Sequence, residues 1–225
     1  SMYARLPFDP LRDFTPVAIV ALVPNVLVVH PSLPARNVKQ FIALAQSRPG
    51  QLSYGSSSVG SPSHMSGELF AVMAKVNYVH VPYKGQSIAL VDLMGGHIQF
   101  LFPSIPSSVQ HVRSGKLVAL GVTTAQRATA LPDIPTIAES AVPGYEVSGW
   151  NGLLAPVGTP RTLITRYHGE IMRTLAEPDV VKRINGMGWE PAGTTGNTPQ
   201  TMGQFVRAEI AKFAKIVKDN NLKVD

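Results

Sequence analysis

The stretch "SYGSSSVGSPSHMSGELF", residues 53–70, decides how this chain is read. It opens on the end of an apolar run, passes through small residues and hydroxyls, and settles into a helical rhythm. Met65, Leu69, Val72, Met73 and Val76 fall on one face of that helix. Ser61 followed by Pro62 reads as an N-cap with proline at the first helical position. A loop between a strand end and a helix start presents unpaired backbone N–H groups at the positive end of the helix dipole. Small side chains such as Gly60, Ser57, Ser58 and Ser61 let an anion come close to them. Two readings stand at this point: a holder for a carboxylate or phosphate, and a tight strand-to-helix turn with a good cap.

Outward from the loop the same alternation repeats. "NVLVVHP" reads as a buried strand and "NVKQFIALAQSRPG" as a helix capped by Asn37 and stopped at Pro49-Gly50. "VNYVHVPYKG" is a strand, "SIALVDLMGG" a helix ended by Gly95-Gly96, "IQFLF" a strand, "PSSVQHVRSG" a short helix and "KLVALGVTT" a further strand. A Pro- and Gly-punctuated connection, "ATALPDIPTIAESAVPGYEV", leads to the strand-like "WNGLLAP". This rhythm predicts an α/β protein with a mainly parallel sheet covered by helices. In such a sheet "PYKG" (82–85) and "FPSIP" (102–106) end neighbouring strands on the edge that carries the serine loop. They bring a cation, Lys84, with Gly85, the aromatics Tyr83 and Phe102, and the hydroxyl of Ser104. Phe102 and Trp150 are each read as core or hinge packing or as a ligand wall, and Tyr83 as a donor to the ligand or a cover for the loop.

After residue 150 the rhythm changes. Thr159-Pro160 and Thr198-Pro199 each open a helix with a hydroxyl cap and proline at N1, and at most one short strand, around "GWEPAG", accompanies them. A helix layer is thus predicted with little sheet to cover. Met202, Phe205, Val206, Phe213 and Val217 would then lie exposed unless a second copy of the chain covered them, which predicts self-association, a homodimer.

Composition narrows the function classes. With 44% hydrophobic residues, 225 residues build one large or two small cores. The net charge of +6 is spread evenly, with no basic run interleaved by aromatics, so no nucleic-acid partner is predicted; the surface favours small anions. No apolar run is long enough to span a bilayer, the start has no signal-peptide pattern, and zero cysteines exclude disulfides and thiol chemistry. His30, His80, His97, His111 and His168 have no ligand spacing, so neither metal nor cofactor is predicted. His64, with Glu68 four residues on, reads as a cap or surface pair. Ser57 or Ser58 with His64 and Asp92 is a bare permutation without the G-x-S-x-G elbow, and no phosphate-binding glycine motif is present, so no catalytic residue is proposed.

Longer blocks carry a resemblance. The run from "PNVLVVHPSLPARNVKQF" to "SYGSSSVGSPSHMSGELF", then "VHVPYKG", "LMGGHIQFLF", "GKLVALGVT", "LPDIPTIAES", "PGYEVSGWNGLLAPVGTP" and "EPAGTT", is similar to the Bug-type solute receptors of tripartite tricarboxylate transporters, over nearly the whole chain. The resemblance implies a type II periplasmic-binding-protein-like fold of two α/β domains joined by crossover strands. It implies a small carboxylate held in the cleft between them, a periplasmic location, and partnership with membrane transporter subunits, without enzymatic activity. Residues 24–150 would be a nearly complete second domain, and 1–23 with 151–225 an incomplete first one. The chain then resembles an N-terminally shortened receptor, with a fragment that folds without binding ligand as the alternative. Many such receptors carry an acid or amide after the fourth strand of this domain where this chain has Pro103 and Ser104. That departure points to a plain carboxylic acid rather than an amino acid as ligand.

Overall fold

The computed structural model describes residues 7–219. By its internal contacts the chain divides into two units, one running from Val23 to Gly149, the other holding the residues up to Leu22 and from Trp150 onward. Strands β1 (Phe14–Pro24) and β2 (Val26–Val29) come first, separated by Asn25. There follow α1 (Val38–Ser47), β3 (Ser53–Ser56), α2 (Pro62–Ala74), β4 (Val79–Pro82), α3 (Gln86–Met94), β5 (Phe100–Leu101), α4 (Ile105–Arg113), β6 (Val118–Val122) and the one-turn α5 (Ile137–Ser140). The remainder is β7 (Ser148–Pro156), α6 (Arg161–Ala176), α7 (Pro178–Gly186), β8 (Glu190–Pro191) and α8 (Pro199–Asp219).

In the 23–149 unit five strands are ordered β4-β3-β5-β2-β6. β3 runs parallel to both β4 and β5, as the alternation requires, but β2 is antiparallel to β5 and β6. This corrects the expectation that β2 and α1 open a parallel repeat. All four residues of β2 are buried, and an apolar run buried on both faces reads the same in either direction. Asn25, which breaks the apolar run in the sequence, is 3% exposed and joins the neighbouring chain segments. Its amide N–H donates to Thr123 Oγ1 (3.1 Å), its Nδ2 donates to the Phe102 carbonyl (3.0 Å), and its own carbonyl accepts from the Thr123 N–H (2.9 Å).

The core of this unit is aromatic on one side. Phe100 lies 4.8 Å from Phe41, 5.4 Å from Tyr54, 4.8 Å from Tyr78 and 6.1 Å from Phe102, ring centre to ring centre. Val26, Val28, Leu90, Leu93, Leu101, Ile105 and Leu117 form an aliphatic cluster.

The other unit has the sheet β7-β1-β8, with β1 and β8 antiparallel. Here the expectation for α8 is corrected. Met202, Val206 and Val217 are buried and Phe205 and Phe213 are half-buried. The helix lies on its own sheet: Met202 Cε would be 2.7 Å from a Cβ on Gly152 of β7, and Pro16 Cγ of β1 would be 3.5 Å from one on Gly203. Self-association was inferred from the exposure of that face, and the covered face removes its reason. A second correction concerns Thr159, which does not cap α6. Its hydroxyl donates to the Pro156 carbonyl (2.7 Å), and Pro160 is the N-cap, without a side-chain bond. Thr198 does cap α8, accepting from the Thr201 N–H at 3.1 Å.

Candidate functional site

Strands β4, β3 and β5 end level with one another, Ser56 pairing with Pro82 and Gly55 with Leu101. Each then runs into a helix: α2 with N-cap Ser61, α3 with N-cap Gly85, α4 with N-cap Ser104. Three helix N-termini therefore start from one edge of the sheet, and none has an acidic residue in its first turn. The dipole ends are left uncompensated there, which favours an anion.

The serine loop is tied from within. The Ser58 carbonyl accepts from Ser56 Oγ (3.1 Å), Ser61 Oγ (2.7 Å) and the Ser61 N–H (3.2 Å). No peptide bond described is cis, and in a trans peptide the next N–H points away from the carbonyl, so the Val59 N–H faces opposite to these partners. The Ser57 carbonyl accepts from the Gly85 N–H (2.9 Å), which by the same geometry turns the Ser58 N–H away from Gly85. Neither N–H has a partner among the described residues. Ser61 caps α2 as the sequence predicts, accepting from the His64 N–H at 3.3 Å. Ser57 gives its N–H to Ser63 Oγ (3.0 Å), and Gly60, at φ +79°, gives its N–H to His64 Nδ1 (3.0 Å). Both amides thus point into the protein, so what Gly60 brings to the loop is its left-handed backbone and its missing side chain.

The second loop is bonded to the first. Besides the Gly85 bond, the Tyr83 N–H donates to the Ser56 carbonyl (3.0 Å). Lys84 is exposed beside them. The Tyr83 phenol is engaged inside the protein, donating to Asp92 Oδ2 at 2.7 Å; partial burial first, then this bond and the carboxylate charge, push it up to about 12. Its proton is thus given to Asp92 rather than held out from the loop.

In the third loop Ser104 accepts from Gln86 Nε2 at 3.1 Å, and Gln86 Nε2 also reaches Ser107 Oγ. Gln86 thereby ties the start of α3 to the start of α4. Sequence reasoning missed it, because a polar first residue of a helix gives no sign of a partner 18 positions away. Of the two readings of Phe102, the structure shows core packing: it is fully buried, 5.8 Å from Phe70 and 6.1 Å from Phe100. Trp150 belongs to the other unit, where it packs edge-on against Phe205 at 5.7 Å and lines a groove of about 680 Å³ with Phe8, Leu11 and Ile210.

His64 is the largest departure from the sequence reading. Instead of a surface pair it is 1% exposed, its ring stacked on His80 at 4.1 Å and its Nε2 3.5 Å from Glu68 Oε1. Both its nitrogens are engaged away from the Ser57 and Ser58 hydroxyls, and Asp92 is taken by Tyr83, so the serine–histidine–aspartate permutation is not assembled. The edge offers N–H groups without partners among the described residues, hydroxyls and a lysine, groups of the kind that hold an anion.

An α/β unit that gathers helix starts at one sheet edge is the build of a solute-binding protein of the type II periplasmic fold, and solved relatives bear the fold out. An adipate-bound protein from R. palustris is 39% identical with a TM-score of 0.86, over 99% of this chain and 73% of that one. MatC from Rhodopseudomonas palustris, solved with malate, is 29% identical with a TM-score of 0.81, over 96% and 74%. The model of the tripartite tricarboxylate transporter receptor family matches residues 1–222, and the chain belongs to that family. It is also 37% identical over 224 residues to a protein encoded between tcbD and tcbE in Pseudomonas sp. strain P51, covering 99% of this chain and 66% of that one.

Proposed function

We propose that this chain is a periplasmic solute receptor that captures a small, plain dicarboxylate for the membrane subunits of a tripartite transport system, and that it catalyses no reaction. The observation that carries the reading is the serine loop, whose Ser57 and Ser58 carbonyls are bonded within the protein while the Ser58 and Val59 N–H groups have no partner among the described residues. One ligand carboxylate would sit on these two N–H groups and on the hydroxyls of Ser57 and Ser58, at the start of α2. Gly85 and Ser104 shape the neighbouring loops, and exposed Lys84 draws the anion in. Adipate and malate in the solved relatives support the ligand class. Pro103 and Ser104 place no carboxylate in the third loop to pair with a ligand ammonium, which favours a plain acid over an amino acid.

Thermal melting with adipate, malate, aspartate and glutamate tests the proposal. Adipate or malate is expected to raise stability by about 2.7 kcal/mol at a hundredfold excess over its dissociation constant, and the amino acids to do nothing. Consumption of a bound acid would make the protein an enzyme. A cooperatively melting sample that ignores every carboxylate would favour the second reading, a chain that folds without binding.

A further inference from the structure

Beneath the serine loop lies a buried polar group that the carboxylate contact does not use. His64 comes from the first turn of α2, Glu68 from the next turn, His80 from β4 and Tyr54 from β3. The Tyr54 hydroxyl donates to Glu68 Oε1 at 2.6 Å, and His64 Nε2 faces the same oxygen. Tyr78 and Tyr145 close the group, their hydroxyls donating to the carbonyls of Gly67 and Ser66.

Hydrogen-bond polarity fixes the protons. A backbone N–H can only donate, so Gly60 requires His64 Nδ1 to be bare, and the ring proton sits on Nε2 facing Glu68. Burial works to raise the Glu68 carboxyl, but the bonds from His64 and Tyr54 outweigh it and hold the carboxyl below its usual range, so it is ionised and accepts from both. Ser56 Oγ gives its proton to the Ser58 carbonyl, and so accepts from His80 Nε2 at 2.7 Å. The two stacked imidazoles therefore hold the loop at two points: His64 by accepting from Gly60, His80 through Ser56.

We propose that His64 is a positioning residue for the ligand loop, its bare Nδ1 drawing the Gly60 N–H inward and so setting the directions of the Ser58 and Val59 N–H groups. The proposal rests on the reading of that loop as the carboxylate site. A proton on Nδ1 would set one N–H against another, turn Gly60 away and loosen the loop. The groups packed around His64 are Glu68 on its own helix, His80 on β4, and Tyr54, Tyr78 and Tyr145 beyond them.

Two variants and the wild-type protein test it. His64→Asn keeps an acceptor near the place of Nδ1, whereas His64→Gln places its amide near Nε2 and leaves Gly60 unpaired. At pH 7.5, by calorimetric titration, His64→Gln is expected to bind adipate about threefold to tenfold more weakly than wild type, the range one hydrogen bond supports, and His64→Asn about equally. In ligand-free protein at the same pH, the Gly60 amide resonance should move in His64→Gln and stay near its wild-type position in His64→Asn. Equal binding by His64→Gln and wild type, or a Gly60 amide at the same position in His64→Gln as in wild type, overturns the proposal. If wild type binds neither adipate nor malate, the receptor reading falls, and the Gly60 amide comparison still decides whether His64 positions the loop.

Discussion

The two units bury polar side chains for different ends. In the unit that holds β1 and α8, the main buried polar residue is Asn197, 8% exposed. Its Oδ1 accepts from the Ile19 N–H (3.2 Å) and its Nδ2 donates to the Ile19 carbonyl (2.7 Å), as a neighbouring strand would. A neutral amide suffices for that task, because it only completes backbone pairing. The 23–149 unit buries a neutral amide of the same kind, Asn25, and hydroxyls, but it adds imidazoles, a carboxylate and phenols, set in a layer between the serine loop and the aromatic cluster. Titratable groups gather where backbone N–H groups have been left open, and neutral ones where the backbone is closed. Asn197 is a structural peptide mimic; the His64 group is the support of a surface that must stay unpaired.

The largest test of this contrast lies in the cores. Phe100 is fully buried and faces four other rings, so Phe100→Ala is expected to cost about 3–5 kcal/mol, measured by urea unfolding. Leu175, 5% exposed, packs with Ala21 and Ile184 in a small cluster, and Leu175→Ala should cost nearer the lower end for its type, about 2 kcal/mol. An equal loss at both positions would mean that the aromatic layer adds nothing beyond the side chain removed.

A smaller effect sharpens the contrast in titration. Burial, and after it the nearby His64, lower His80 from 6.5 to about 4. The unfolded chain therefore takes up a proton below about pH 6.5 that the folded chain refuses until about pH 4, so stability should fall as the pH drops through that window and level off below it. The ring is partly exposed, which reduces the expected loss to about 1–2 kcal/mol. Glu68, whose carboxyl is lowered, keeps its contribution through most of that window and loses it only in stronger acid. Urea midpoints at pH 7 and pH 5 should differ in wild type and differ less in His80→Gln; a wild type with the same midpoint at both breaks the account.

What was legible in the sequence was chemistry that acts within a few residues. Asn37 and Ser61 cap α1 and α2 as read, the first by accepting from the Gln40 N–H at 2.9 Å, and Gly95 ends α3. The capping box of Thr136 and Glu139 is equally local, but it lies within a Pro- and Gly-punctuated connection that masks a helix of one turn. The strand direction of β2, the Gln86 bond to Ser104 and the burial of His64 were not legible, because each depends on a partner from another strand or helix. A His and a Glu four apart on a helix suit solvent as well as a core. What buries His64 is the ring of His80, 16 residues on, with Tyr54 and its hydroxyl closing over Glu68.

The finest test compares two helix starts that look alike in sequence, Ser61-Pro62 and Thr159-Pro160. Ser61 Oγ accepts from the His64 N–H and donates to the Ser58 carbonyl, so Ser61→Ala removes a cap and one of the ties on the loop; the expected loss is about 1 kcal/mol. Thr159 bonds only the Pro156 carbonyl, two residues before α6 begins, and Thr159→Ala should stay within about 0.5 kcal/mol of wild type. Ser58→Ala belongs beside them, because the Ser58 side chain is exposed while its carbonyl does the structural work; stability should hold within about 0.5 kcal/mol. If Ser58→Ala weakens adipate binding while Ser61→Ala lowers the melting temperature, the loop has an outer, ligand-facing set of groups and an inner, structural one. If both substitutions move only the melting temperature in a protein shown to bind adipate, the loop is a capped turn and the carboxylate lies elsewhere.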